Sequence, residues 1–340
     1  MSEFDELQRD AEKDDLRSQI RGLQQKLTQA KAKTADLVEA VEQGARDAAV
    51  LIGRPPPVPK PKADGRKKRG EVCLLPVSDW HVGKRTSTFD SNVAVERIRQ
   101  LATKVSEITE IERADHPVRE CHLLLCGDFT DGVMIFPGHS FEIDSTLFTQ
   151  LFTAAGAMES LISALAATFE HVTIWCQTGN HGRIGKKGDM PRGDNTDRLL
   201  YRIVRERISG TSIDSRITWH EPESWYSIVE IGGYRALLVH GDQIKSFGGT
   251  PAFAILKKCN SWSSGVLPDF KDVWMGHFHN PLVLPLANGR GRVFISPSIE
   301  SDSAYAAEVV AAASMPAQRL CFVDPEKARV TTERVLWLDQ

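Results

Sequence analysis

Short apolar runs alternate with longer segments of helical spacing after Gly70. Each run leads into polar residues and predicts a strand; the runs are VCLLPVSDWH, HLLLCGDFTD, HVTIWCQTGNH, ALLVHGD, DVWMGHFH and RVFISPSI. Apolar residues at intervals of three and four predict helices near residues 92–113, 145–169 and 196–209. Two further segments predict hairpins, one turning at Gly232-Gly233 and one near Pro325. Together these elements predict a layered α/β domain with two central sheets.

The N-terminal region has a different pattern. From Leu16 onward, apolar or small residues recur at alternating intervals of four and three, with charged residues on the other faces. This is the heptad pattern of a coiled coil, although Ala30, Thr34 and Gly44 weaken it. We predict a coiled-coil helix over residues 1–52 that joins copies of the chain into a homo-oligomer. The alternative is a single amphipathic helix that docks on its own globular domain.

A proline-rich basic segment, residues 53–70, follows the heptads. It contains five prolines, and its seven Lys or Arg residues stand against one Asp. Proline favours an extended, semi-rigid linker. The positive charge fits two interpretations equally well: a solvated tether, or a segment that holds a polyanionic substrate near the domain that follows.

Composition excludes some classes of protein and leaves others open. With 41% hydrophobic and 26% charged residues, the chain of 340 residues can bury a substantial core. Its net charge of -3 argues neither for nor against nucleic acid. The acidic start lacks the apolar segment of a secretory signal, and no apolar run approaches the length of a membrane span. Six cysteines without C-x-x-C spacing indicate buried thiols, so we expect a cytoplasmic protein without membrane contact.

Five of the predicted strands end in potential metal ligands. These are Asp79 and His81 in SDWHVG, Asp128 and Asp131 in GDFTD, Asn180 and His181 in GNHGR, His240 in VHGD, and His277 and His279 in GHFHN. One such group alone would be ordinary turn chemistry. Five groups that each close a strand predict one shared site, because α/β folds gather polar residues at strand ends. Mixed nitrogen and oxygen ligands suit Mn, Fe or Zn better than Ca.

In this order the motifs resemble the calcineurin-like metallophosphoesterase superfamily, whose pattern is D-x-H, G-D-x-x-D, G-N-H-D/E, a later H, and G-H-x-H. The resemblance covers roughly residues 71–300 and implies a four-layer αββα sandwich of two mixed sheets, with residues 71–340 as the catalytic domain. SDWHVG resembles the opening motif of the SbcD-type DNA repair nucleases. Gly182 departs from the pattern, since most members have Asp or Glu there. We expect this glycine to leave the substrate pocket more open.

The resemblance also assigns the ligands to two divalent ions. Asp128 would bridge the ions. The other ligands divide into one set of Asp79, His81 and His279 and a second set of Asn180, His240 and His277. Two ions about 3.5–4 Å apart lower the pKa of a bridging water and clamp phosphoryl oxygens. The nuclease-like opening motif favours Mn, with Fe or Zn as alternatives.

His181 is the neighbour of a ligand, and in the family this histidine does not bind metal. The resemblance implies that His181 is the general acid that protonates the leaving oxygen, with Asp131 as the carboxylate that orients it. The alternative for Asp131 is a turn or helix-cap acceptor. The remaining histidines have no matching partner in the sequence and are expected to be surface or structural: His116, His122, His139, His171 and His220.

Two segments beside the motifs bear on the substrate. The loop after the third motif carries four basic residues that could grip flanking phosphates, or could simply be solvated: Arg183, Lys186, Lys187 and Arg192. Residues 132–144 follow the second motif and contain Phe136 and Phe141, which could stack on bases but are slightly more typical of core.

The leading hypothesis is a metal-dependent DNA nuclease that acts on ends or single strands. The first alternative is a protein or small-molecule phosphatase or phosphodiesterase with the same metal site. A second alternative is an assembly protein, in which the coiled coil is the main functional element and the phosphoesterase domain only binds.

Overall fold

The structure of the protein is a computed structural model that describes residues 55–67, 70–185, 190–245, 251–287, 289, 291–301 and 315–339, with a few isolated positions between 21 and 43. The chain divides into two compact units between Ile52 and Gly53, and the elements described below belong to the second unit. Apart from those isolated positions, the coiled coil predicted over residues 1–52 lies outside the described residues and stays a prediction.

Two mixed sheets form the centre of the domain. Within the described residues the strands, numbered in chain order, are β1 Glu71–Val77, β2 Val118–Leu125, β3 His171–Cys176, β4 Ile217–His220, β5 Ser227–Ile231, β6 Tyr234–Leu238, β7 Asp272–Met275, β8 Val283–Pro285, β9 Arg292–Ile295, β10 Ala317–Asp324 and β11 Arg329–Trp337. The sheet orders are β11-β10-β1-β2-β3-β4 and β5-β6-β7-β9-β8. β1 to β4 run parallel, as do β6, β7 and β9. β10, β11, β5 and β8 run antiparallel to their neighbours.

The two predicted hairpins are present, and their turns contact each other. β5 and β6 turn at Gly232, whose φ of 56° is a left-handed conformation that glycine adopts without strain. A side chain at Gly232 would also collide with Pro325 in the turn between β10 and β11, at 2.8 Å. The backbone N–H of Gly233 donates to the carbonyl of Pro325 at 2.8 Å. This contact joins an edge hairpin of one sheet to that of the other.

The core between the two sheets explains the continuous apolar runs in the sequence. Leu74 and Leu124 of the first sheet belong to the same buried cluster as Leu238, Trp274 and Phe294 of the second. Because a central strand of a parallel sheet is covered on both faces, its residues are apolar throughout rather than in alternation. All residues of β1 after the first are accordingly buried.

Helices cover the outer faces of the sheets. They are α1 Ser91–Arg113, α2 Leu147–Thr168, α3 Thr196–Ile208 and α4 Ala252–Ser261. The first three lie side by side over the first sheet, while α4 packs on the second through Ile255 and Cys259. The predicted α/β fold, with two mixed sheets between outer helices, is confirmed.

The composition of α2 corrects one expectation. This helix has 22 residues, and an 18-residue stretch within it has a mean hydropathy of 1.4, so in length and composition it could cross a membrane, which the apolar runs in the sequence did not suggest. In the structure 56% of this apolar stretch is buried, and the helix packs between α1 and α3. Core helices of this kind meet the same criteria as membrane spans.

The described part of the proline-rich linker, residues 55–67 and Gly70, has no regular secondary structure and lies against the domain. The guanidinium of Arg119 donates to the backbone carbonyl of Asp64 at 2.8 Å, and the Asp64 N–H donates to Glu170 at 3.2 Å. Nearer the start of the linker, the Val58 N–H donates to the Ser212 hydroxyl at 3.3 Å. These bonds fix the linker to the domain surface at several points.

Candidate metal centre

The five sequence motifs meet at one edge of the two sheets. The first candidate ligand of each motif follows the carboxyl end of a parallel strand, namely β1, β2, β3, β6 or β7, by two to four residues. The turns are bonded to one another across the chain: the Asp79 N–H donates to the carbonyl of Gly127 at 3.0 Å, and the Gly276 N–H to that of His240 at 2.9 Å. Residues distant in sequence therefore share a single cleft.

Five of the motif residues have left-handed backbone conformations. Their φ angles lie between 45° and 67°, at Asp79, His81, Asp128, His277 and His279. Each such conformation costs a non-glycine residue about 1–2 kcal/mol. Strain of this kind persists where a surrounding structure imposes it, and it is concentrated at functional sites. Five such residues in the motifs therefore mark this edge of the sheets as a candidate functional site.

The first cluster of ligand atoms contains Asp79, His81 and His279. The Nε2 atoms of His81 and His279 are 3.2 Å apart, and they lie 3.8 and 3.3 Å from Oδ1 of Asp79. Metal–ligand bonds of about 2.0–2.2 Å place neighbouring ligands roughly 2.8–3.6 Å apart in octahedral or tetrahedral shells. The three atoms are therefore spaced nearly as the corners of a metal shell.

The second cluster contains Asp128, His240 and His277, and Asn180 adjoins it. Nε2 of His240 lies 3.0 Å from Oδ2 of Asp128 and 3.1 Å from Oδ1 of Asn180. Burial alone would raise the pKa of Asp128, but the charges of His240, His181 and His81 hold it below the usual range. This carboxylate therefore interacts with histidines of both clusters.

Hydrogen bonds on the far side of three rings leave Nε2 as the ligand atom. Nδ1 of His81 lies 2.9 Å from Asp131, Nδ1 of His279 lies 2.8 Å from Glu300, and Nδ1 of His240 lies 2.8 Å from the carbonyl of Cys126. Carboxylate and carbonyl oxygens only accept, so each Nδ1 carries a proton and Nε2 is the ring nitrogen that faces the cluster. This is the usual outer support of a metal-binding histidine.

Asp79 provides an independent test of whether a cation fits. Its carboxylate is fully buried, and Oδ2 accepts from the Ser78 hydroxyl and from the His277 N–H at 3.0 Å. Among the described residues no group donates a hydrogen bond to Oδ1, which points into the first cluster. A buried carboxylate oxygen without a donor is costly unless a cation pairs with it. The residues present fit a divalent metal.

The electrostatics of the cleft favour positive charge. Burial opposes protonation of His240, but the neighbouring Asp128 outweighs it and raises the pKa to about 10. At His279 burial is likewise outweighed, by Glu300 and Asp79, and the pKa rises to about 9. At His277, by contrast, burial lowers the pKa to about 4. The carboxylates thus create a field in which metal ions can replace protons.

Asp131 connects the first cluster to two histidines that are not in it. Its Oδ2 accepts from Nε2 of His139 at 2.7 Å, and its Oδ1 from His81. Burial alone would raise the pKa of Asp131, but hydrogen bonds from His139, His181 and His81 hold it well below the usual range. Asp131 is therefore an anionic acceptor for three imidazoles.

His181 lies next to this network. Its Nδ1 is 2.8 Å from the backbone carbonyl of Asp131 and 3.3 Å from the carboxylate, while its backbone N–H donates to Asp128 at 2.7 Å. The side chain keeps 18% of its surface exposed, unlike His81 at 1%. With Nδ1 donating to the carbonyl, Nε2 is the ring nitrogen left for exchange with a substrate.

Gly182 does not open the pocket, contrary to our expectation. A Cβ at this position would lie 2.2 Å from Oδ1 of Asn195, so the space is already filled. Asn195 is the N-terminal cap of α3. The N–H of Thr196, the first residue of the helix, donates to the carbonyl of Gly182 at 2.7 Å. Asp197, the second residue of α3, accepts backbone N–H groups from Asp128, Phe129 and Gly179. The start of α3 thus occupies and braces this region.

The four predicted substrate-binding residues have different positions. Arg183 is partly buried, and its guanidinium donates to the backbone carbonyls of Asn180 and Ile135, so it connects the loops around the site. Arg192 is half exposed and lies 3.7 Å from Asp242. Both line a pocket of about 320 Å³ that also contains Asn180. Lys186 and Lys187 fall outside the described residues.

Three residues of the site were not identified from the sequence. His139 was expected to be surface or structural, and the structure places it, 1% exposed, against Asp131. Asp197 and Glu300 belong to none of the motifs. Glu300 carried a weak signal, because it follows the apolar run of β9 as the ligands follow theirs. It also pairs with Lys84.

The other histidines lie apart from the centre. His122 accepts a hydrogen bond from the Trp175 indole at 3.1 Å, and His220 stacks on Trp175 with 3.9 Å between the ring centres. His116 pairs with Asp115 at 2.9 Å and lies near Glu71. These contacts agree with the structural roles expected of them.

Comparison with known proteins gives structural similarity alone. No family model and no curated protein matches the chain. Among solved structures, Vps29 from Entamoeba histolytica complexed with Zn is 12% identical, with 78% of this chain and 99% of that one covered and a TM-score of 0.34. A predicted phosphoesterase from Streptococcus pneumoniae is 10% identical over 79% and 99%, with a TM-score of 0.31. SoxB from Thermus thermophilus is 10% identical over 81% and 58%, with a TM-score of 0.38. Values this low assign no function.

Proposed function

We propose that the protein is a phosphodiesterase that depends on two divalent metal ions, with Mn preferred over Fe or Zn. The observation that carries this proposal is the convergence of seven candidate ligand side chains, four of them histidines, three of which have Nδ1 already engaged. The ligands are Asp79, His81, Asp128, Asn180, His240, His277 and His279. When bound, such ions lower the pKa of a water and neutralise charge on phosphoryl oxygens.

The chain's own residues supply the remaining chemistry. His181 holds a proton on Nε2 while Nδ1–H is bonded to the carbonyl of Asp131, and it donates that proton to the leaving oxygen. The nearby carboxylate of Asp131 stabilises the imidazolium before transfer. The buried ligands and the strained turns keep the cleft in one arrangement, so little reorganisation is needed during the reaction.

DNA is the substrate we favour. The resemblance of SDWHVG to the SbcD-type opening motif supports it, as do the basic linker and the half-exposed Arg192 beside the cleft. A second candidate is a small phosphodiester, because the pocket of about 320 Å³ beside Asn180 has the size of a small-molecule site and is lined by Asp194 and Asp242 as well as by arginines.

One assay separates these candidates. Purified protein is incubated with Mn and then with end-labelled single- and double-stranded DNA, a cyclic nucleotide, bis-p-nitrophenyl phosphate and p-nitrophenyl phosphate. We expect DNA cleavage that a chelator abolishes and that Asp128→Asn lacks, while Asp115→Asn, far from the cleft, behaves as the wild type. Cleavage of small esters without cleavage of DNA would reject the nuclease. No hydrolysis with any metal would reject the enzyme and favour a binding role.

The predicted homo-oligomer needs its own test. We propose that residues 1–52 assemble copies of the chain. The solution mass of the full chain should then be a multiple of 37.7 kDa, and deletion of these residues should reduce it to one copy. An unchanged oligomeric state after the deletion would exclude the coiled coil as the assembly element.

A further inference from the structure

Residues 132–144 carry exposed apolar side chains beside the metal centre. Met134 is 76% exposed, Phe136 43% and Phe141 89%. Single exposed apolar residues are ordinary on protein surfaces, but two aromatic rings and a methionine within eight residues are not an ordinary loop composition. The slightly favoured expectation that these phenylalanines are core residues is therefore not met.

Phe136 is held on one face and open on the other. Its ring stacks on the imidazole of His139, with 4.4 Å between the ring centres and an angle of 26° between the planes. His139 is itself immobilised, because Nε2 donates to Asp131 and Nδ1 accepts from the Ile135 N–H at 3.2 Å. The exposed part of the phenylalanine is thus the surface of a rigid two-ring stack.

The stack of Phe136 on His139 also lies close to His181, the proposed general acid. The ring centres of His139 and His181 are 5.9 Å apart. The centres of the Phe136 and His139 rings are 4.4 Å apart. The centre of the Phe136 ring therefore lies within about 10 Å of the centre of the His181 ring. The segment is further anchored by Gln150, whose side chain bonds both the N–H and the carbonyl of Gly132.

One cation, Arg85, belongs to the segment that borders the exposed rings. Its backbone N–H donates to the carbonyl of Glu142, the residue after Phe141, at 2.7 Å, and its side chain is exposed. Lys84 joins Ile143 through a short antiparallel backbone bridge, while its ammonium pairs with Glu300. Aromatic rings with adjacent cations are the combination that binds single-stranded nucleic acid, in which each base offers a face for stacking and each phosphate a negative charge.

We infer that Phe136, with Phe141, forms a stacking platform for an unpaired base of the nucleotide next to the scissile phosphate. This inference rests on the proposed phosphodiesterase function and narrows its substrate to nucleic acid with an unpaired segment. A protein partner is less well matched, because a standard interface takes about 20–30 residues a side, whereas this segment offers three large apolar side chains.

The test compares substrates that differ only in the base. Wild type, Phe136→Ala and Phe136→Trp are assayed with Mn on a dT oligonucleotide, on an abasic oligonucleotide of the same length, and on bis-p-nitrophenyl phosphate. Ile111→Ala is the matched control, since Ile111 is 61% exposed at the end of α1, next to the amino end of β2 and away from the cleft.

We expect Phe136→Ala to raise KM for the dT oligonucleotide by about fivefold to a hundredfold, the usual contribution of one stacked base. The abasic oligonucleotide and the small ester should change less than twofold, and Phe136→Trp and Ile111→Ala should resemble the wild type. Equal loss on all three substrates, or an unchanged KM for dT, would overturn the platform. Wild-type hydrolysis of the small ester but of no oligonucleotide would overturn the platform and leave the chemistry standing. Hydrolysis of no substrate would remove both.

Discussion

Substituting Asn for Asp131 tests how the metal centre is supported. The carboxylate accepts from His81 at 2.9 Å and from His139 at 2.7 Å, and it lies 3.3 Å from Nδ1 of His181. An amide of the same shape keeps one accepting oxygen and points an NH₂ group at another ring donor. At least one charge-assisted hydrogen bond is lost, and such a bond is worth about 1.5–3 kcal/mol.

The expected result is a weaker centre and a slower reaction. A loss of this size corresponds to a decrease in metal affinity of about 10- to 100-fold, as is typical when the outer partner of a ligand histidine is removed. At saturating Mn, kcat should remain reduced because His181 has lost its counter-charge.

The assay has two parts. Metal affinity and stoichiometry are measured by calorimetric titration of chelator-treated protein, and kcat is measured with bis-p-nitrophenyl phosphate at saturating metal. Asp115→Asn serves as the control, since Asp115 is exposed and far from the cleft. If Asp131→Asn bound Mn within twofold of the wild type and turned over at the same rate, the assigned role of Asp131 would be refuted.

Three further predictions address the acid, the glycine and a remote histidine. His181→Ala should keep its full metal content by mass spectrometry yet lose most turnover; full activity would defeat the assignment of the acid. Gly182→Asp should lower the melting temperature by several degrees, because a Cβ at this position would lie 2.2 Å from Asn195. Gly193→Asp is the control and should leave the melting temperature unchanged, because a Cβ there would meet only the end of the Arg198 side chain, at 3.4 Å. Burial, with a smaller contribution from the charge of His220, lowers the pKa of His122 to about 4, against 6.5 unfolded. From pH 7 to 5 only the unfolded chain therefore gains this proton, and stability falls by about 2 kcal/mol more in the wild type than in His122→Gln, as urea denaturation would show.

The sequence predicted the parts of the fold that are set by local pattern. β1, β2 and β3 are apolar runs because both faces of a central strand are buried, and the hairpin at Gly232 required a left-handed residue. β8 and β4, which have three and four residues, were not predicted.

The motifs of the site could also be recognised from the sequence, because each is a short group of residues at the end of one strand. Their supporting residues were not. Asp197 accepts a hydrogen bond from the backbone N–H of Asp128, which is 69 residues away in the sequence. Glu300 bonds the ring of His279, which is 21 residues away. Neither distance has a sequence signature. His139 looked ordinary because its partner, Asp131, was already assigned to His181.

The sequence by itself determined the identity of the candidate ligands, their order and the strands that present them, because side-chain chemistry and strand periodicity are local properties. The tertiary structure decided which imidazole nitrogen faces the cleft, which carboxylates hold the rings, and that the position of Gly182 is closed by α3 rather than open. It also placed Phe136 on the surface beside the cleft. These outcomes depend on contacts between distant segments, and the packing of the two sheets creates those contacts.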